Sequence, residues 1–231
     1  VSKVWQAWSG NAVNENTHAD YIENTIIDGS TTRLDNGYSL LGWTVTGGEW
    51  SIEDGVIVGR QESNGDGGLL VSNNVYSDFD LAFWVWPDYG VDSGVYLRTD
   101  GSLRAYQVTI DYQPSNPIGG IYVSGYGDSS WDYEISDEDE ITGSPTYFSR
   151  EEWKTIWNPY GWNHFLVRVE GDPVNIEVFI NGHKVHEYTD ANDRLGASGA
   201  IALQLHDQSN DDYTWPAGAT MRFKGIRVTP K

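Results

Sequence analysis

The sequence predicts an all-β protein, a single antiparallel β-sandwich built from two sheets. Three observations carry this expectation. Short segments in which apolar and polar residues alternate with period two recur from about Arg33 onward. Most are bounded by Gly, Asn, Asp or Pro, the residues that turns require. The 231 residues include 26 Gly, 11 Trp and 14 Tyr, and few segments could hold a long helix, which suits many short strands joined by tight turns. No internal repeat recurs at a fixed period, which counts against a propeller or a solenoid.

Residues 1–32 show no sustained period and are expected to form an N-terminal extension with one short strand, packed on the domain through Trp5 and Trp8. Residues 33–231 then form the sandwich domain. Its strands are expected in "GEWSIEDGVIVG", "GLLVS", "FDLAFWVWP", "SGVYLRT", "RAYQVTIDY", "GGIYV", "HFLVRVEG", "VNIEVFING", "GAIALQLH" and "MRFKGIRV". The "EDG" ending at Gly55 and the "ING" ending at Gly182 read as hairpin turns, because glycine accepts the positive φ such turns need. Residues 124–162 interrupt the pattern with a long acidic and aromatic stretch. Loops of this length are usually functional or disordered, and the aromatic content argues against disorder. The expectation is a lid, with "REEWKTIW" forming a helical turn or two.

A hydrophobic fraction of 39% in a chain this long builds a core without disulfides or structural metal. Cysteine is absent, which removes thiol nucleophiles and Cys-ligated zinc. A formal charge of −20 repels phosphate backbones and anionic lipid, so neither nucleic acid nor a membrane is an expected partner. No apolar run is long enough to span a bilayer. The expectation is a secreted or periplasmic monomer whose signal peptide has been removed. No phosphate-binding loop, dinucleotide fingerprint, Gly-x-Ser-x-Gly elbow or His-Glu-x-x-His helix is present.

Strand alternation places unlike polar groups together: Tyr96 with Arg98, Gln107 with Thr109 and Asp111, and Gln204 with His206. Singly, each fits a surface residue or an ion pair. Together, with Ala and Gly between them, they fit the floor of a cleft for a polar ligand. Trp84 and Trp86 share one side of "LAFWVWP", opposite Leu81, Phe83 and Val85, where indole faces either stack on sugar C–H surfaces or cover the core. Trp131, Trp153, Trp157 and Trp162 in the expected lid strengthen the carbohydrate reading. Glu134 and Glu138, four apart in "EISDEDE", would share a strand face, as paired carboxylates do in laminarinase-like enzymes. The middle acid of that pattern falls on Ser136, however, and so charged a run suits a solvated or calcium-binding loop better.

Several phrases, in order, resemble one family. "LDNGYSLLGWTVTGGEWSIEDGVIVG" resembles its opening, "DSGVYLRT" its "NSG" strand, and "AYQVTIDY" its strand of pattern Tyr-Glu-x-Gln; "GGIY", "GWNHFLVRVEG", "INGHKV", "GAIALQLH" and "MRFKGIRV" follow. Over roughly residues 33–230 the chain resembles the 3-keto-disaccharide hydrolase family. That resemblance implies a concanavalin-like β-sandwich, or jelly roll, acting on glycosides whose C3 hydroxyl has been oxidised to a ketone. The ketone acidifies the C2 proton, so a base removes it, donors hold the enolate oxygen, and the C1 substituent leaves by elimination.

The resemblance makes His206 the base, with Arg98 holding the enolate and Asp111 the third catalytic residue. On that model Gln107, Gln204 and Asp111 position sugar hydroxyls, and with the strand reading the expected substrate-binding residues are Gln107, Gln204, Tyr96, Trp84, Trp86, Asp92 and Tyr122. No cofactor is required, and a divalent metal such as calcium near Asp111 and His206 stays open. The sequence departs from the family where its usual acid is Gln107, the following glutamine is Thr109, and the usual asparagine of "NSG" is Asp92. Glutamine cannot ionise, so Asp92 or Glu134 would have to substitute. Two other readings remain: a non-catalytic carbohydrate-binding module on the same sandwich, and a laminarinase-like endo-glycosidase using Glu134 and Glu138.

Overall fold

The computed structural model describes residues 30–207 and 215–231. Most of the expected N-terminal extension, with Trp5 and Trp8, lies outside the described residues. The strands are, in chain order, β1 (Thr32–Arg33), β2 (Trp43–Val45), β3 (Glu49–Glu53), β4 (Val56–Arg60), β5 (Gly68–Tyr76), β6 (Phe79–Pro87), β7 (Ser93–Thr99), β8 (Ala105–Ile110), β9 (Ile118–Ser124), β10 (Asp128–Ser130), β11 (Tyr133–Asp137), β12 (Glu140–Gly143), β13 (Asn163–Glu170), β14 (Asn175–Ile180), β15 (His183–Thr189), β16 (Gly199–Leu205) and β17 (Met221–Pro230). Among the described residues one helix, α1 (Arg150–Ile156), precedes β13.

Two antiparallel sheets form the sandwich. One runs β15-β14-β13-β6-β17-β4-β3 with β1 paired to β17, and the other runs β10-β9-β8-β7-β16-β5-β2. The side chains between them follow the alternation read from the sequence. Leu81, Phe83 and Val85 of β6 meet Val95 and Leu97 of β7, Val108 and Ile110 of β8, and Ile201, Leu203 and Leu205 of β16 in one apolar cluster. Phe83 stacks on Phe165 with ring centres 5.1 Å apart. Both expected hairpin turns are present: Asp54 (φ 50°) and Gly55 (φ 83°) join β3 to β4, and Asn181 (φ 46°) and Gly182 (φ 87°) join β14 to β15.

The segment 124–162 is not a lid. Strands β11 and β12 pair as a small hairpin, and their inward residues Tyr133, Ile135 and Ile141 enter the main core cluster together with Phe148, Trp153, Ile156 and Trp157. Ser149 caps α1 through a reciprocal pair with Glu152, so the helix starts where the "SREE" pattern places it. Trp153 and Trp157, four apart, stack at 5.8 Å, and Trp157 packs edge-on against Tyr112 at 5.1 Å. Of the four tryptophans that suggested a ligand cover, Trp153 and Trp157 therefore belong to the core instead. The acidic run falls at the turn of the hairpin, so Glu134 pairs opposite Thr142 on β11 while Glu138 lies beyond the strand, and the two do not form a carboxylate pair on one strand face.

Candidate functional site

The face of the seven-stranded sheet that points away from the core is organised in rows. Register puts Ala202, Tyr96, Gln107 and Tyr122 side by side across β16, β7, β8 and β9. The next row holds Leu69, Gln204, Gly94 and Thr109, with Gly120 beside Thr109. A third row follows just past the strand ends. The bridge between Val91 and Tyr112 continues the β7–β8 register, so Asp92 lies opposite Asp111, and the amide of His206 donates to the carbonyl of Asp92 at 3.2 Å. Alternation thus delivers Asp92 and Asp111, from the consecutive strands β7 and β8, and His206, from the distant β16, to one edge of one face.

The middle rows are closed on themselves. Gln107 Nε2 donates to Gln204 Oε1 at 2.8 Å, Gln204 Nε2 donates to the Tyr96 hydroxyl at 3.2 Å, and that hydroxyl meets Ser124 Oγ at 3.4 Å. Gly94 makes room for this, because a Cβ there would come within 2.6 Å of Gln107 Nε2. Gln107, Gln204 and Tyr96, expected to bind substrate, are buried and spend these polar atoms on one another. Tyr122 is half-buried at the edge of the same face.

The opening lies at the third row. Gln61, Gly90, Asp92, Gln113, His206, Asp207 and Trp215 line a small, shallow cleft with room for about one water molecule. Gln113 Nε2 donates to Asp92 Oδ2 at 3.2 Å, and Gln61 Nε2 donates to the carbonyl of His206 at 2.7 Å. The backbone is pinned where Gly67 donates to Asp207 Oδ1 at 2.6 Å; a Cβ on Gly67 would meet the Leu205 carbonyl at 2.0 Å. His206 Nδ1 lies 2.8 Å from the carbonyl of Asp207, which can only accept. Nδ1 therefore carries the hydrogen, and Nε2 is the basic nitrogen of the neutral ring.

Asp92 and Asp111 form a hydrogen-bonded carboxyl pair. Burial pushes Asp111 well above the usual carboxylate range, and the neighbouring Asp92 adds to the shift. Burial also raises Asp92, while His206 and the hydrogen bond from Asp111 pull it back. Asp111 Oδ1 is buried and finds no donor. Both shifts favour the protonated form of the pair, and Asp92 faces the cleft. Among the described residues, no cluster of three or more His, Asp or Glu is placed to hold a metal ion.

Arg98 is elsewhere. Strict alternation puts it beside Tyr96, but it has φ 50° and sits where the register of β16 slips between Ala200 and Ala202. The bulge reverses its direction. The guanidinium runs to the Ser77 carbonyl (2.9 Å), the Gly171 carbonyl (3.0 Å) and Asp78 Oδ1 (2.8 Å), tying the β5–β6 turn to the β13–β14 turn. At 2% exposure it is an internal strut, not a group that can reach an enolate in the cleft. Trp84 and Trp86 also leave the site. They project from β6 on the side opposite Phe83, the outer face of the other sheet, where Trp84 meets His164 at 5.1 Å and Trp86 meets Trp162 edge-on at 5.8 Å. Sequence reasoning missed Trp215, Gln61 and Gln113, which carry no strand pattern and join the cleft through tertiary packing alone.

Residues 30–229 match the model of the family described as a 3-keto-alpha-glucoside-1,2-lyase-like domain. No curated protein matches the chain. Solved structures share its fold. A protein from Parabacteroides distasonis proposed to be a glycosyl hydrolase is 18% identical, with 96% of this chain and 99% of that one covered and a TM-score of 0.56. A β-glucanase from Bacillus licheniformis is 14% identical, with 88% and 100% covered and a TM-score of 0.59. A carbohydrate-binding module from Bacillus subtilis is 18% identical, with 80% and 94% covered and a TM-score of 0.52. At these identities the likeness speaks to the sandwich and not to the chemistry.

Proposed function

Because the chain belongs to the 3-keto-alpha-glucoside-1,2-lyase-like family, we propose that it cleaves glycosides already oxidised to a ketone at C3, using the row His206–Asp92–Asp111. Family and fold place the chain among glycosyl hydrolase-like and carbohydrate-binding β-sandwiches; the finer reading rests on that row. His206 Nε2 takes the C2 proton, which the ketone has made acidic. The electron pair moves into the C2–C3 enolate and then into a C1–C2 double bond as the C1–O bond breaks. The carboxyl pair delivers its proton to the departing oxygen through Asp92, and His206 returns a proton to the pair. The proton lost from C2 is balanced by the one gained by the leaving alcohol, and addition of water to the product makes the net result a hydrolysis.

The observation that carries the reading is the pairing of Asp92 with the buried Asp111, with Asp92 lining a cleft beside His206; burial raises both carboxyls. Environments that push neighbouring titratable groups apart are what acid–base chemistry at neutral pH requires. Asp92, which departs from the family's asparagine, supplies the second carboxyl. A second reading, binding without turnover, draws on the closed Gln107–Gln204–Tyr96 network, which holds its shape without a substrate.

The test is aglycone release from a chromogenic glucoside and from its 3-keto derivative. The wild type is expected to turn over only the keto compound, with His206→Ala and Asp92→Asn each slowing it by about 10²–10⁴, the usual worth of a positioned acid or base. Sugar binding without release from either compound would leave the binding reading in place.

A further inference from the structure

The geometry points to a second reactive centre, Ser130–His186–Asp132, that cleaves esters of small acyl groups through a covalent acyl-serine. It is independent of the reaction proposed above. In the sheet order β10-β9-β8-β7-β16 the serine ends β10 and His206 follows β16, so about 19 Å of sheet separates the two centres.

The three residues meet where the two sheets close on each other along one edge. Strand β10 ends the seven-stranded sheet and β15 ends the other, and a Cβ on Gly119 of β9 would stand 2.8 Å from Val185 Cγ2 of β15. His186 lies opposite Val178, a core residue, so its ring points inward between the sheets and is 5% exposed. Ser130 and Asp132, two residues apart, reach it from the end of β10. His186 Nε2 is 3.0 Å from Ser130 Oγ, and His186 Nδ1 is 3.8 Å from Asp132 Oδ2.

One assignment of hydrogens serves all three groups. Nδ1 is buried and has no hydrogen-bond partner. With the ring hydrogen on Nδ1, a donor faces the Asp132 carboxylate and Nε2 accepts from the Ser130 hydroxyl; the other tautomer would turn two acceptors toward each other. Burial pushes the His186 pKa down, against the pull of Asp132 and Glu187, so the ring is neutral and basic at neutral pH. A hydroxyl, a base and an orienting carboxylate in this sequence are the parts of an activated nucleophile. Catalytic hydrogen bonds are commonly long before substrate binds and tighten in the complex, which a separation of 3.8 Å allows. An imidazole with one nitrogen unpaired between two sheets costs stability that an apolar residue there would not.

Ser130 Oγ attacks the ester carbonyl carbon as its proton passes to Nε2, and Asp132 holds the imidazolium through Nδ1–H. The C–O bond to the alcohol breaks, the alcohol oxygen takes the proton from Nε2, and the acyl group stays on Oγ. Water then repeats the sequence, releasing the acid and restoring the serine. Because β10 is an edge strand, main-chain N–H groups on its free side are open to the developing oxyanion. The half-buried serine and the buried ring admit a slim acyl carbonyl better than a substituted peptide link.

The experiment treats the protein with diisopropyl fluorophosphate, maps the labelled residue by mass spectrometry, and follows hydrolysis of p-nitrophenyl acetate. Wild type should carry one label, on Ser130, and Ser130→Ala and His186→Gln should each slow hydrolysis by about 10²–10⁴. Asp132 is a positioning residue, so Asp132→Asn should slow hydrolysis and move the midpoint of its pH profile down, because the carboxylate that favours the imidazolium is gone. An unshifted midpoint would remove Asp132 from the centre. Should His186→Gln fail to fold, the half-buried Ser130 still decides. No label on Ser130 in the wild type, hydrolysis no faster than in buffer, or an undiminished rate in Ser130→Ala would each overturn the proposal.

Discussion

Replacing Asp111 by asparagine should stabilise the protein at neutral and alkaline pH, although the residue lies at the centre of the site. The amide matches the carboxyl in shape and brings a permanent donor to the position where Asp111 Oδ1 now has none. A buried polar atom left unpaired costs about 1–3 kcal/mol. The folded chain holds the Asp111 proton to higher pH than the unfolded chain, which releases it near the ordinary carboxylate value of about 3.9. Between that value and the raised folded one, the folded state binds more protons, so stability falls as pH rises. Asparagine has no such slope. At roughly 2–4 °C per kcal/mol for a chain of this size, Asp111→Asn should melt about 2–12 °C above the wild type at pH 8. The gain should shrink toward zero below about pH 3, where Asp111 is protonated in both states. Thermal melts followed by circular dichroism across this range measure it, and aglycone release from the 3-keto glucoside should be lost in the same variant. An unchanged or lower melting temperature at pH 8, or a gain independent of pH, would mean that Asp111 is ionised and satisfied, and the argument from a protonated pair would fail.

Arg98→Ala removes three hydrogen bonds that tie two turns together and should cost about 2–4 kcal/mol in a thermal melt. Turnover per folded molecule should be unchanged; a variant with native stability and no activity would return Arg98 to the site. Trp153→Ala empties the centre of the insertion's contribution to the core, a loss of about 3–5 kcal/mol in denaturant unfolding. A cost below about 1 kcal/mol would show that the segment is a detachable cover after all.

The sequence made the sheets legible because one face of nearly every strand is buried, so alternation fixes which residues face in. It also grouped Gln107, Thr109 and Asp111, and Gln204 with His206, correctly. Alternation failed at Arg98 because a bulge reverses parity. That bulge depends on a non-local neighbour: a Cβ on Gly199 would stand 2.3 Å from the Arg98 carbonyl carbon. The insertion misled through composition. Its inward Tyr133, Ile135 and Ile141 flank the acids with strand spacing, and Trp153 and Trp157 share a helical face, so a hairpin and a helix were readable there. The opposition of Asp92 and Asp111 was not, because it needs the β7–β8 register, and no single strand encodes its partner's offset.

The two departures from the family pattern are coupled in the folded chain. Gln107 stands where the resemblance expects an acid, and Asp92 where it expects an asparagine, so one carboxyl disappears from the middle of the face as another appears at its edge. A glutamate at 107 would set a carboxylate against Gln204 Oε1 and the Ser93 carbonyl, the two acceptors to which Gln107 Nε2 now donates. The amide is therefore the form that closes the central row. The acid at 92 instead meets Asp111, accepts from Gln113, and lines the cleft beside His206. The pair of exchanges conserves formal charge and moves the ionisable group from the closed central row to the row where His206 lies.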